Sequence, residues 1–402
     1  MLTPLRPLTA LPAPIPLLKA RDVPHPERSI ARGELTPVRR GIYASTTHWN
    51  ALAPWDRYLA RVHAVAVSWP DAVFSHESAA VLQGLPVFGD PIIVHLIAGP
   101  GATSGVNGGI RVHTGGAARE LHVRDGLLMT SPIDTAVDLA RSRHEVVGLS
   151  AADAALRTDP TATVEALVAR NESRHSSRGR RHARWALHRA DGAAETVLES
   201  ASRAAVEWLG YPEPELQWHF GSTAYGEERS DFWWPGARLA GEADGDLKYD
   251  GRFGDAPALL RERRLRDTRI RRRARAVAHW GWTDVADFTA LDGILRGAGL
   301  VRTFGEDVAR LAGMRHALAG RPFPGRTADR LAPRPPARRE LRAATWGSPP
   351  GRGAPIPSRG RGGRMGAPGG PARAVSRPGR TPRAGQAKAS GGGQAQTRLR
   401  SP

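Results

Sequence analysis

The stretch Arg229–Gly251, RSDFWWPGARLAGEADGDLKYDG, constrains this chain more than any other. Two segments of strand character flank Pro235-Gly236, and Pro-Gly is a strong turn signal. A two-residue hairpin closed there pairs Trp234 with Ala237 and sets Asp231 opposite Ala240. Strand side chains alternate between faces, so Asp231, Glu242 and Asp244 then share one face. Asp231 and Glu242 become diagonal cross-strand neighbours, about 7–8 Å apart. Oxygen ligands reach about 2–2.6 Å to Mg2+ or Ca2+, so two such carboxylates can hold one divalent cation between them. Lys248 follows in a chain whose other lysines are Lys19 and Lys388 and which otherwise uses arginine. An ammonium beside the acids would steady a developing negative charge. The alternative is a polar turn at Asp244-Gly245-Asp246 with Lys248 solvated.

The flanks extend this pattern. Leu198, Ala201, Ala205 and Leu209 have the spacing of a helix over Ala194–Leu209, with Glu195, Glu199 and Arg203 stacked on one face. An ion pair between Glu199 and Arg203 is the plain account of that face. Glu215–Phe220 reads as a strand. Ala258–His279 reads as a long arginine-rich helix, one face of which carries Arg264, Arg271, Arg272 and Arg275 as a DNA-binding surface. Trp280-Gly281-Trp282 then leads to a final strand or turn. The segments ETVLESASR (195–203), RSDFWWP, GEADGDLKYDG and RERRLRDTRIRRRARAVAHWGWTDV (261–285) together resemble the very-short-patch-repair endonuclease-like domain of the PD-(D/E)XK superfamily. The resemblance implies an α/β restriction-endonuclease-like domain with a mixed sheet over 191–320. It implies Mg2+-dependent (or Mn2+-dependent) hydrolysis of DNA phosphodiesters. By position, Glu199 is the helix acid, Asp231 and Glu242 are the metal ligands, and Asp244 and Lys248 assist. One departure stands out: two residues after Glu242 the family has Lys, and this chain has Asp244.

The N-terminal half, 1–190, alternates short helices and strands. Its segments PERSIARGELTPVRRGIYA (26–44), FSHESAAVLQGLPVFG (74–89) and TSPIDTAVDLA (130–140) resemble AbiEi-type antitoxins. That resemblance implies an α+β half built of a partial winged helix (1–45) and an α+β middle domain (46–190). It also implies a nucleotidyltransferase toxin as partner, and an alternative function: a non-catalytic regulator of a type IV toxin–antitoxin system with a degenerate nuclease fold. Arg39 and Arg40 sit at a bend before Gly41, where a phosphate contact and a solvated hairpin are equal expectations. Residues 1 to about 24 read as irregular. Helices are expected over 55–68, His76–Gln83 (capped by Ser75, closed by Gly84), Ile133–Arg141, Ala151–Arg157 and Thr161–Asn171. Strands are expected at Ile92–Ile97, Gly109–His113 and Leu127–Met129. His76-Glu77 has Ala80 where a zinc-protease motif needs a second histidine, so His76 reads as a helix-start or packing residue. Glu172–Arg189 reads as a solvated helix or linker.

Composition narrows the setting. The net charge is +19, but 17 Arg and one Lys against Asp329 and Glu340 place +16 of it in 321–402. That leaves +3 for the first 320 residues. The 321–402 segment is rich in Gly, Pro and Arg and is expected to be a disordered basic tail. The chain has no cysteine, which excludes disulfides and thiolate zinc sites and suits a reducing cytoplasm. No apolar run approaches the ~18 residues a membrane span needs. The expectation is a cytoplasmic protein acting on DNA, away from membranes.

Overall fold

The computed structural model describes residues 9–99, 101–114, 119–223, 226–244 and 256–319. Lys248 and the 321–402 segment lie outside these residues, and so do the expectations placed on them.

The first elements are β1 (Leu18–Lys19), α1 (Pro26–Ala31), β2 (Leu35–Arg39), β3 (Ile42–Ser45), α2 (Thr46–Ala51) and α3 (Pro54–Ser68). The strands form an antiparallel sheet in the order β1-β3-β2. Gly41, at φ 78°, supplies the left-handed turn between β2 and β3. The stretch before residue 24, expected to be irregular, contributes β1, because Leu18 and Lys19 pair with the free edge of β3 at Tyr43 and Ile42.

Next come β4 (Val73–Phe74), α4 (His76–Gln83), β5 (Val94–Ile97), β6 (Gly105–Asn107), β7 (Ile110–His113), β8 (Leu121–Arg124) and β9 (Leu127–Thr130). Four helices follow: α5 (Pro132–Ser142), α6 (Glu145–Thr158), α7 (Val164–Ser173) and α8 (Arg180–His188). The six strands make a mixed sheet in the order β6-β7-β5-β4-β9-β8. Ser131 caps α5, its Oγ accepting the Asp134 N–H at 3.2 Å. Ser75 makes no such side-chain cap on α4; its Oγ lies 3.0 Å from the His76 ring instead. The polar stretch 172–189 is a packed element rather than a linker. In α8, Ala183, Ala186 and Leu187 are buried, and this i, i+3, i+4 stripe seats the helix against α5, α6 and α7.

The last third comprises α9 (Val197–Trp208), β10 (Glu215–Thr223), β11 (Gly226–Trp234), β12 (Leu239–Ala243), α10 (Ala256–Ile270), β13 (Ala276–Trp280), α11 (Trp282–Ala286), α12 (Phe288–Gly297) and α13 (Val308–Leu318). The sheet order is β10-β11-β12-β13. The first three strands are antiparallel and β13 joins β12 in parallel. The expected hairpin register is off by two. Proline cannot take the positive φ that a two-residue turn asks of its central residues. Pro235–Ala237 therefore form a 3-10 turn, closed by Arg238 at φ 48°. Trp234 consequently pairs with Leu239, not Ala237. The expected helix over Ala258–His279 stops at Ile270. The Arg271–Arg273 run crowds like charges at its end, and Ala276–Trp280 finds an open edge on β12 to pair with. Arg271, Arg272 and Arg275 therefore share no helix face with Arg264. The expected final strand or turn is helix α11.

Alternation along β11 and β12 divides the sheet. Phe232, Trp234, Leu239 and Ala243 face α9 within a large core that also takes in Trp280, Leu149, Leu187 and Met314. Trp233 and Ala240 face α10 with Phe220, Ile270, Ala274 and Val277. The protein is thus a mixed α+β structure with mixed sheets, and its described residues fall in one compact unit.

Candidate functional site

The α10-facing side of the last sheet carries the acids. The β11–β12 register pairs Phe232 with Gly241, so one step further Asp231 stands directly opposite Glu242. Directly opposed positions bring Cβ atoms to about 4.5–5.5 Å, closer than the diagonal expected from sequence. Glu242 pairs in turn with His279 on β13. On the other side, β10 pairs Leu216 with Phe232 and Trp218 with Ser230, which puts Gln217 level with Asp231. Gln217, Asp231, Glu242 and His279 thus form one row across four strands.

Each member is held. Asp231 Oδ2 accepts the Ala243 N–H at 2.9 Å. Glu242 is 3% exposed and receives both terminal nitrogens of Arg266, at 2.9 and 3.1 Å. Burial, with the charges of Asp231 and Asp244, pushes the Glu242 carboxyl up to about 8, against the pull of Arg266. His279 sits between Asp244 (Nδ1 to Oδ2, 2.9 Å) and Asp267 (Nε2 to Oδ2, 3.0 Å), and Arg263 reaches Asp244 at 3.0 Å. Arg263, Arg266, Asp267 and Ile270 lie at i, i+3, i+4, i+7 on α10, so one face of that helix covers the row.

Glu199 joins from the start of α9. Its carboxylate accepts the Glu195 N–H at 2.8 Å and the Thr196 hydroxyl at 2.9 Å, while Thr196 Oγ1 caps the Glu199 N–H. This is capping chemistry at a helix N-terminus. The expected Glu199–Arg203 pair does not form; Arg203 binds Asp153 at 3.2 Å. Gln217 Nε2 donates to Glu199 at 2.9 Å, which ties the helix acid to the row. Burial and the Asp231 charge raise the Glu199 carboxyl.

The structure therefore brings Glu199, Asp231, Glu242 and Asp244 to one end of the sheet. Sequence reasoning missed His279, Gln217, Arg263 and Arg266; the helical spacing of the last two was the available signal. Of the expected DNA contacts, Arg264, Arg271 and Arg272 are exposed, and Arg275 donates to the Ala298 carbonyl at 3.0 Å. Arg40 is exposed at its turn, whereas Arg39 is half-buried and stacks 4.9 Å over Trp69.

A second cluster was not foreseen from the sequence, in which His76 reads only as a helix-start or packing residue. His76, His95 and His113 each present a ring nitrogen such that all three lie within 4.8 Å of one another, the one such group of three among the described residues. They come from α4, β5 and β7, far apart in the chain.

Fold and site together define an α+β protein with a half-buried acid row, Glu242 at its buried centre, under an arginine-bearing helix. The chain is 34% identical over 215 residues to uncharacterized proteins Rv2248 and MT2308 of two Mycobacterium tuberculosis strains, covering 53% of this chain and 74% of each relative. It belongs to the family of these mycobacterial proteins. No family profile matches the chain, and no solved structure matches it at a significant level.

Proposed function

We propose that the acid row is the site of a divalent-cation-dependent endonuclease acting on DNA, in a restriction-endonuclease-like domain. The observation that carries this reading is the direct opposition of Asp231 and Glu242, with Glu242 pushed up to about 8. Two carboxylates crowded so are stabilised by a cation between them. The donor chemistry suits Mg2+ or Mn2+, because the candidate ligands are all oxygens. Gln217 adds a buried Oε1 that has no hydrogen-bond partner. A bound cation would supply Lewis-acid charge and lower the pKa of a water. Asp231 and Glu242 would hold it, with Glu199 fixing Gln217 from behind. Arg266 must release Glu242 for this, and with Arg263 it is then placed to take a phosphate oxygen.

The amino-terminal helix and three-stranded sheet support a partial winged helix, as the AbiEi-type resemblance implies. Arg40 and the exposed arginines after α10 are the phosphate contacts in this reading.

Plasmid nicking with Mg2+ or Mn2+ tests the site. Asp231→Ala and Glu242→Ala should each lower cleavage by about 100-fold or more. Cleavage unchanged in both removes these acids from the chemistry. One observation favours a second reading: Arg266 already satisfies both oxygens of Glu242, as in a scaffold that has lost its metal. A non-catalytic regulator of a nucleotidyltransferase toxin system would bind its own promoter in a gel shift without metal and nick nothing.

A further inference from the structure

We propose that His76, His95 and His113 bind one divalent transition-metal ion of the zinc class, at a site separate from the acid row. Imidazole nitrogens suit Zn, Cu, Ni and Fe rather than Mg2+. Three histidines with a fourth position open to water or an anion is the donor set of many zinc enzymes.

Tertiary structure assembles the set. Ser75 N–H donates to the His95 carbonyl at 3.1 Å, which brings the start of α4 against β5. β5 and β7 run parallel, with His95 level with Arg111 and Ile97 level with His113. His76 and His95 are buried. The His76 and His113 rings stack with centroids 4.0 Å apart, and His95 Nδ1 lies 2.8 Å from His113 Nε2. His76 adopts φ 50°, a left-handed conformation that costs about 1–3 kcal/mol outside glycine and concentrates at functional sites.

The outer partners also match a metal centre. Glu77 Oε2 lies 3.6 Å from His95 Nε2, just beyond hydrogen-bond reach, and Arg143, which donates to that carboxylate, also places Nη2 3.4 Å from the same ring nitrogen. On metal binding the Glu77 carboxylate would close onto His95 Nε2, where it orients the ring and fixes its tautomer. Ser75 Oγ does the same for His76 Nδ1 at 3.0 Å. These contacts leave His95 Nδ1 and His113 Nε2 facing one another, and the His76 ring, stacked on that of His113, has to turn to aim Nε2 at an ion held between them. With Zn–N bonds of about 2.0–2.1 Å the 2.8 Å gap between His95 and His113 opens to about 3.4 Å, and the ion takes the place of the proton between them. Arg111, Arg119 and Arg143 add positive charge around the rings. Glu77 offsets Arg143, and Asp138 offsets Arg119 at 2.8 Å.

The experiment uses the full chain purified without a histidine tag, stripped with chelator and titrated with zinc. Elemental analysis should find about one zinc per chain. His95→Gln and His113→Gln should each lose it, and Glu77→Gln should weaken it about 10–100-fold. Asp231→Asn/Glu242→Gln should keep the full equivalent, so failure here and failure of the acid row read out separately. Because removing a buried ring also endangers the fold, cobalt is added to the wild-type chain as a second measurement. Strong visible bands of a low-coordinate nitrogen site support the proposal. The weak spectrum of hydrated cobalt, or zinc uptake unchanged in the histidine variants, overturns it.

Discussion

Asp153 shows how much one buried charge can matter. Its carboxylate accepts the Ser200 hydroxyl at 2.7 Å, Arg203 Nη1 at 3.2 Å and the Asp191 N–H at 2.8 Å. Burial nevertheless pushes the carboxyl up to about 6, with Arg203 opposing. A carboxyl raised in the folded state stabilises the fold while protonated. That contribution is full below the unfolded value of ~3.9 and is lost as pH rises through ~6. At ~1.4 kcal/mol per tenfold, ionisation costs about 3 kcal/mol. Urea unfolding of wild type against Asp153→Asn should therefore show the wild type gaining about 2–3 kcal/mol between pH 7.5 and 4. A difference that stays flat with pH contradicts this. The residue scale was partly legible: Asp231 and Glu242 were named from type and spacing, and Glu199 from the family resemblance. Gln217 and His279 were not, since an isolated Gln or His in a strand carries no signal until its neighbours across the sheet are known.

At the scale of elements, β12 depends on a close approach. A Cβ built on Gly241 would lie 2.5 Å from Trp280 Cη2 and 3.0 Å from Trp234 Cζ3. Both rings are buried, so neither yields easily. Gly241→Ala should destabilise by about 1–3 kcal/mol and disturb the strand that carries Glu242. An unchanged urea midpoint would show that the rings give way. The strands and helices themselves were largely readable, α4 to the residue. The failures have physical causes. The Pro235 turn changed register because proline excludes the primed turns. Helix α10 ended early because a parallel strand partner outcompeted the helical continuation of an alanine- and arginine-rich run. The packing of α8 was hidden because Ala183, Trp185, Ala186 and Leu187, which pack inward, are interleaved with arginines and histidines.

For the whole molecule, the core ignores residue 190. Trp185 on α8 packs against Trp208 on α9 with centroids 4.8 Å apart, and Arg310 on α13 reaches Glu145 on α6 at 3.5 Å. The segments on either side of 190 should unfold together as one calorimetric transition. Trp208→Ala should lower stability by about 3–5 kcal/mol and shift that single transition intact. Two resolved transitions in the wild type, one of them insensitive to Trp208, would show independent halves.

The amino-acid order alone determined local periodicity, most helix and strand positions, and the residues able to bear negative charge near a turn, because those depend on neighbours within a few positions. It also placed the excess positive charge beyond residue 320. Only tertiary structure decided the β11–β12 register, Arg266 on Glu242, and the meeting of His76, His95 and His113. Those rest on contacts between distant segments, which a chain specifies only through the packing of the whole.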